Sequence, residues 1–514
     1  MRLLLLLFAL SIPFADAWAA GSTCRVWEDR NGNQRQDAGE PGLAGVQLHD
    51  GRQLVQTDAD GRYRLSGSKA HGTLLLIKPA THALPSRADG LPDNWHVGGG
   101  CRDFALLPNP HGDARGFEVL LLADSQTEDA TELDYFRRDI IEPLLDKPRA
   151  RLGVTLGDLV DDNLTLYPQL KAQMARLATP WLHIPGNHDL DFEAADDAGS
   201  LLSYHRHFGP DTLAWEEPGL VFVGLDDVIY QPGASPRYVG GLREDQFAFL
   251  EAYLPSVPKD ALLVLGVHIP LFDKEAGVET FRAADRKRLF ALLRDFPHVL
   301  VLSGHQHTLG HHWHSAESGW HGAQPLHEFN VGAACGAFWS GAPNAAGIPD
   351  ATMADGTPNG YARLHLDGDG SYRLSWHPAK QDGQDAAFTQ VLRLHAPKVL
   401  RQGAYPAWGV YANVFAAPPD AQVEYRIDGG AWQPMQRFVG PDPWLAAENA
   451  RDDDSRQLRG YDRSPEARAS THLWRAALDT RLPIGIHHVE VRAQDAYGQW
   501  QKAAIDYRLE AASR

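Results

Sequence analysis

The stretch VLVLSGHQHTLGHHW, residues 299–313, runs four apolar residues into Ser303 and Gly304 and then sets His305 and His307 two positions apart. Alone, such a pair is more often a solvated loop than a metal site. Four other polar clusters give it company. LLLADSQ supplies Asp124 and Gln126, VTLGDLVDD supplies Asp158, LHIPGNHD supplies Asn187, His188 and Asp189, and LGVHIP supplies His268. Each cluster follows the carboxyl end of an apolar run. Carboxylates, a carboxamide and several imidazoles crowded into one volume are costly to solvate, and divalent cations neutralise them. The donor count suits two ions sharing one bridging carboxylate.

The elements that must hold these groups are legible. Strand-like apolar runs at 117–123, 151–156, 181–184, 219–225, 261–267 and 298–302 alternate with helix-period segments such as ELDYFRRDIIEPLL and REDQFAFLEAYL. That alternation predicts an α/β core. In an open α/β sheet the carboxyl ends of the strands share one edge, where the crevice lies.

Around the core we expect four segments: a signal peptide at 1–19, an N-terminal β-domain at 20–108, the catalytic domain at 112–394 and a C-terminal β-domain at 395–514. The first has Arg2, an apolar run from Leu3 to Phe14 and a small-residue cleavage site at Ala17-Trp18-Ala19, which predicts export. In the second, apolar and polar residues alternate and turns fall at Asp50-Gly51 and Asp60-Gly61. Asp29, Asn31, Asn33, Asp37 and Glu40 occupy the ligand positions of an EF-hand-type calcium loop, with Gln34 where glycine is usual. The alternative there is a polar turn closed by Asx hydrogen bonds. The last segment alternates like an immunoglobulin-like sandwich, and residues 446–470 read as a long charged loop.

A chain of 514 residues with a formal charge of −18 is too long for one core and too acidic for non-specific nucleic-acid binding. It does not exclude chemistry on a phosphate, because bound cations set the local field. Export permits a Cys24–Cys101 disulfide, worth roughly 4–5 kcal/mol in the chain-entropy model. Cys335 reads as a buried small hydrophobe.

In their order, D-x-Q, G-D-x-x-D, G-N-H-D, G-x-H and G-H-x-H resemble the calcineurin-like metallophosphoesterases over roughly 117–335. The flanking modules look like those of an exported bacterial branch. The resemblance implies a four-layer αββα core flanked by β-sandwich modules, and a hydrolase of phosphomonoesters or phosphodiesters. Asp124, Gln126 and His307 would hold one divalent ion, Asn187, His268 and His305 a second, and Asp158 would bridge them. The ions would be Mn, Fe, Zn or Mg, and a bridging hydroxide would attack phosphorus. His188 would protonate the leaving oxygen, with Asp189 fixing its tautomer. Gln126 departs from the family, which usually has His there. Trp339, Asn359 and Tyr361 are expected to line the substrate pocket. Asp161 and Asp162 are expected to bond a loop or a ligand, Asp226-Asp227 to be structural, and His311, His312 and His314 to lie on the surface. Small sugar-, glycerol- or nucleotide-linked phosphates are the expected substrates. The rival reading is a binding scaffold whose core has lost turnover.

Overall fold

The computed structural model describes residues 23–66, 72–98, 100–273, 278–379, 385–405 and 409–511. The expected signal segment lies outside them. Among the described residues no helix is long and apolar enough to cross a membrane.

Two sheets build the core. The first has β1 (Gly116–Leu122), β2 (Leu152–Leu156) and β3 (Trp181–Ile184) in parallel. The second has β4 (Thr212–Glu217), β5 (Leu220–Leu225), β6 (Leu262–Gly266), β7 (Val299–Ser303), β8 (Gly310–His314) and β9 (Leu326–Asn330). The antiparallel pair β10 (Gly360–Asp367) and β11 (Tyr372–Pro378) extends the first, giving the order β3-β2-β1-β10-β11. The second runs β4-β5-β6-β7-β9-β8, with β5, β6, β7 and β9 parallel. Helices α1 (Ala130–Phe136), α2 (Tyr167–Ala175), α3 (Leu202–Phe208), α4 (Glu244–Tyr253) and α5 (Ala283–Leu293) connect the strands. Strands in parallel sheets have both faces covered, so they are apolar throughout. Every residue of β2, β3, β5 and β6 is buried. The two sheets meet closely at Gly266, where a Cβ would lie 2.5 Å from Ile184 Cδ1 of the other sheet.

The flanking regions are rich in β-structure. The described residues between 23 and 108 form two four-stranded sheets around Val26, Leu48, Leu76, Phe104 and Leu106, and Cys24 is bonded to Cys101. The C-terminal region has a four- and a five-stranded sheet around Val410, Trp474, Val491 and Leu509. The main core also takes in Leu75, Ile77 and Trp95 from the N-terminal side and Phe415 and Ala416 from the C-terminal side.

Two expectations need correcting here. Part of the charged stretch expected as a loop is a helix, α6 (Pro443–Asp453), because Asp442 caps it by accepting from the Trp444 and Leu445 N–H groups. The three histidines after the opening pair are not free surface residues. His314 is fully buried on Glu328 at 2.7 Å, and His311 bonds His327 and the Ala416 carbonyl, because C-terminal residues cover that strand.

In the 29–40 loop, Asp29 accepts from the N–H groups of Gly32, Asn33 and Gln34, and Asn31 and Asn33 both donate to Asp37. Glu40 accepts from the Arg30 and Asp37 N–H groups. Gln34 takes φ 57°, the left-handed region glycine usually fills at this position. The loop is closed by its own hydrogen bonds.

Candidate metal centre

Each of the apolar strands β1, β2 and β7 ends by turning sharply, and the turn is where the donors sit. Asp124, Gln126, Asp158, His305 and His307 all have φ between 30° and 69°. That region costs an L-residue roughly 1–2 kcal/mol. Non-glycine residues in it cluster at functional sites, where packing holds them. Asp124 N–H donates to the Gly157 carbonyl and Gln126 N–H to the Asp158 carbonyl, so the first two strand ends are tied to each other. Gly186 permits the third to close in, since a Cβ there would lie 2.2 Å from Asp158 Oδ1.

The donors gather in two linked groups. His268 Nε2 stands 3.0 Å from Asn187 Oδ1, 3.3 Å from Asp158 Oδ2 and 3.2 Å from His305 Nδ1. Asp158, His268 and His305 are close enough together to hold one cation. His307 Nε2 lies 3.6 Å from Asp124 Oδ1, and Asp124 also accepts from the His305 N–H. Gln126 Oε1 faces Cys335 Sγ at 3.7 Å and is almost fully buried.

The second nitrogen of each imidazole decides what these atoms can bind. His268 Nδ1 donates to the Leu156 carbonyl at 2.8 Å, and His307 Nδ1 to the Gly336 carbonyl at 2.9 Å. Each Nε2 is thereby the atom that faces the other donors. Nitrogen and oxygen atoms at about 3 Å from one another need a proton or a cation between them, and in the metal-free protein the proton on His268 fills that role. The set therefore fits divalent ions with mixed N and O preference.

In the metal-free protein the same crowding moves protons. Burial pushes Asp124 up to about 8, and the charge of Asp158 adds to it. Burial opposes ionisation of Asp158 too, but the adjacent His268 outweighs it and holds that carboxyl well below the usual range. His268 loses from burial and gains more from Asp158, ending at about 10. Burial takes His305 down to about 3 and His307 to about 4. A stability prediction follows. Between pH 6.5 and 8 the fold retains protons on Asp124 and His268 that the unfolded chain has released. Stability falls with pH wherever the folded state binds more protons. Chelated protein should therefore melt at a lower temperature at pH 8 than at pH 6.5, and added Mn should cancel the difference. A melting temperature that rises with pH in chelator would contradict this.

His188 stands at the edge of the cluster with its side chain about one-quarter exposed. Its N–H donates to Asp158 Oδ1 at 2.9 Å. Its Nδ1 is 2.8 Å from both Asp161 Oδ1 and Asp162 Oδ1. Burial lowers its proton affinity, but the bond to Asp161 and the charges of Asp158, Asp161 and Asp162 push it up to about 10.

Here the role expected of Asp189 is corrected. Its carboxylate points inward, accepting from the Gly186 and Leu159 N–H groups and the Tyr167 hydroxyl. It ties β2 and β3 together and does not orient His188. The expected substrate residues are also placed differently. Trp339 is buried with its indole N–H on the Ser125 carbonyl, Asn359 is buried on Asp139 and the Ala334 carbonyl, and Tyr361 stacks on His377. All three pack the interior behind the site. Asp227 accepts from the His268 and Ile269 N–H groups, and so shapes the loop that carries a donor. The Leu156 and Gly336 carbonyls that orient two imidazoles have no signature in the sequence, because every residue has a carbonyl.

Comparisons with known proteins bear on the same region. The profile of the calcineurin-like phosphoesterase matches residues 117–309, and that of the C terminal of calcineurin-like phosphoesterase matches residues 328–500. A curated relative, the glycerophosphodiester phosphodiesterase GpdQ of Enterobacter lignolyticus (strain SCF1), is 28% identical over 163 residues, covering 30% of this chain and 55% of that protein. The chain thus matches little more than half the length of this relative. Purple acid phosphatase PPD1 from yellow lupin (Lupinus luteus) seeds is 16% identical at a TM-score of 0.39, over 66% of this chain and 68% of that one. A dimetal phosphatase from Danio rerio is 16% identical at 0.33, over 52% and 97%.

Proposed function

This chain belongs to the calcineurin-like phosphoesterase family, and from that premise we propose that it is an exported, dinuclear metal-dependent hydrolase of small phosphate mono- or diesters. One observation carries the reading: nitrogen and oxygen atoms of Asp158, Asn187, His268 and His305 converge beside the Asp124–His307 pair. Asp124, Gln126 and His307 would hold one ion and Asn187, His268 and His305 the other, with Asp158 between them. Two bound divalent ions would supply an activated water nucleophile and draw charge from the phosphoryl oxygens.

The chain's own residues do the rest. The Leu156 and Gly336 carbonyls keep two imidazoles turned inward. His188, whose hold on its proton Asp161 and Asp162 strengthen, is positioned to give its Nε2 proton to the departing oxygen. Asp161 and Asp162 keep its Nδ1 occupied, so the proton that can leave is the one on Nε2.

The test is hydrolysis of p-nitrophenyl phosphate and bis(p-nitrophenyl) phosphate, after chelation and with Mn or Zn added back. Turnover that needs the ion is expected, and the faster ester assigns the class. Silence on both esters with ions bound would overturn the reading. Gln126 makes the first site the weaker one, because an amide oxygen is a poorer donor to Zn than an imidazole. Gln126→His should tighten Zn binding there by about tenfold or more in a competitive titration. Equal affinities before and after would remove that role. Calcium in the 29–40 loop is a separate proposal, checked by whether calcium raises the melting temperature of the wild type and not of Asp29→Ala.

A further inference from the structure

Phe338 is the one exposed phenylalanine among the described residues, with 56% of its surface in water. Its neighbours show that this exposure is held in place. The Cys335 N–H donates to the Asp124 carbonyl, and the Gly336 carbonyl accepts from His307 Nδ1. Gly336 cannot move away, since its Cα is packed so that a Cβ would fall 1.8 Å from the Ala351 carbonyl oxygen. On the far side Trp339 N–H donates to the Cys335 carbonyl and its indole N–H to the Ser125 carbonyl. Between these clamps Phe338 and Trp339 take φ 58° and 49°, both in the left-handed region. Two consecutive strained residues send the larger ring inward and the smaller one out. The outward ring stands 4.9 Å from the His307 ring, tilted by 31°. It is thus fixed at the rim of the candidate metal centre. Half-buried Tyr238 stands edge-on to His305 at 6.0 Å, so both opening histidines have an aromatic neighbour.

A ring that keeps 56% of its surface in water on a strained loop gives the fold less than a buried one would. It gives a bound molecule a flat surface to cover. The geometry points to Phe338 as a stacking subsite for the organic part of the ester, selecting phosphate esters that carry a planar or aromatic group over those of small polyols. This rests on the phosphoesterase reading and names the substrate class within it. A polyol such as glycerol has no flat apolar face to place on the ring, whereas a nucleobase or aryl group does.

The experiment compares 1-naphthyl phosphate with glycerol 3-phosphate, and the naphthyl and glyceryl diesters of methyl phosphate, on metal-loaded protein. In wild type the naphthyl esters should have the higher kcat/KM. In Phe338→Ala the naphthyl-to-glyceryl ratio of kcat/KM should fall about 5- to 10-fold, with the loss in KM, and Phe338→Trp should restore it. Isothermal titration with 1-naphthylphosphonate, whose carbon–phosphorus bond is not hydrolysed, reads the same contact without turnover. Its Kd should weaken by a similar factor in Phe338→Ala, and that of methylphosphonate should weaken less. An unchanged ratio and an unchanged naphthylphosphonate Kd would overturn the subsite while leaving the phosphoesterase reading intact. Wild type silent on all four esters would remove that reading, and this inference with it.

Discussion

Asp158→Asn protein should purify folded, short of bound metal, and with turnover reduced on the order of 10³-fold. Asp158 is tied to both groups of donors, to one by its carboxylate and to the other by its backbone. Its Oδ2 faces His268, which itself meets Asn187 and His305, and its Oδ1 accepts from the His188 N–H. Its backbone carbonyl accepts from the Gln126 N–H, which ties it to the other group of donors. The amide keeps the shape and one acceptor oxygen but removes the charge that would offset two dications. The fold should survive, because Asp158 is surrounded by groups whose pairing the amide largely preserves, and circular dichroism and the melting curve check that. Elemental analysis of the variant beside wild type reads the metal directly. A full complement of ions with turnover within tenfold of wild type would show that Asp158 is not the bridge.

His188→Ala should lower turnover by roughly 10²–10⁴-fold on esters with alkyl leaving groups, and by less than tenfold on 4-nitrophenyl esters. An alkoxide leaves badly unless it is protonated, whereas nitrophenolate leaves without help. The supporting residues separate by the same measurement. Asp161→Asn and Asp162→Asn remove charges that hold His188 at about 10, so the alkaline limb of the pH–rate profile should move to lower pH. Asp189→Asn should instead lower the melting temperature, because the buried carboxylate accepts from two backbone N–H groups and a tyrosine. Its dependence on leaving group should stay that of wild type. An equal loss on alkyl and nitrophenyl esters in His188→Ala would mean that the imidazole binds or positions the phosphate and does not protonate the leaving group.

The two predictions differ in how much of them was legible beforehand. Asp158 could be named from the chain because its signal is local: an apolar strand, a glycine, an aspartate. The same holds for Asp124, Asn187, His268, His305 and His307, each at the carboxyl end of a strand. His188 could be named too, but its support could not. Asp189 is next to it in the chain and the family resemblance pointed there, whereas Asp161 and Asp162 lie a strand and a helix earlier. The short turn Asn187–Asp189 directs consecutive side chains to different sides. Asp189 therefore goes into the protein, and His188 meets the loop after β2. Phe338 and Trp339 show the same failure. The resemblance pointed to Trp339, in the segment GAFWSG, as a substrate contact. Which of two neighbours faces water depends on φ at both, and on the Ser125 carbonyl that takes the indole N–H.

By itself, then, the amino-acid order determined the α/β core and set the candidate donors at the carboxyl ends of strands. Strand period and burial are written residue by residue, and parallel strands of one sheet share one carboxyl edge, but the meeting of the two sheets' edges is a matter of packing. Tertiary structure alone decided which nitrogen of each imidazole is free, which carboxylates steady His188, and which aromatic ring stands at the rim. Those choices turn on backbone carbonyls and on side-chain directions set by packing across strands far apart in the chain, where residue type carries no signal.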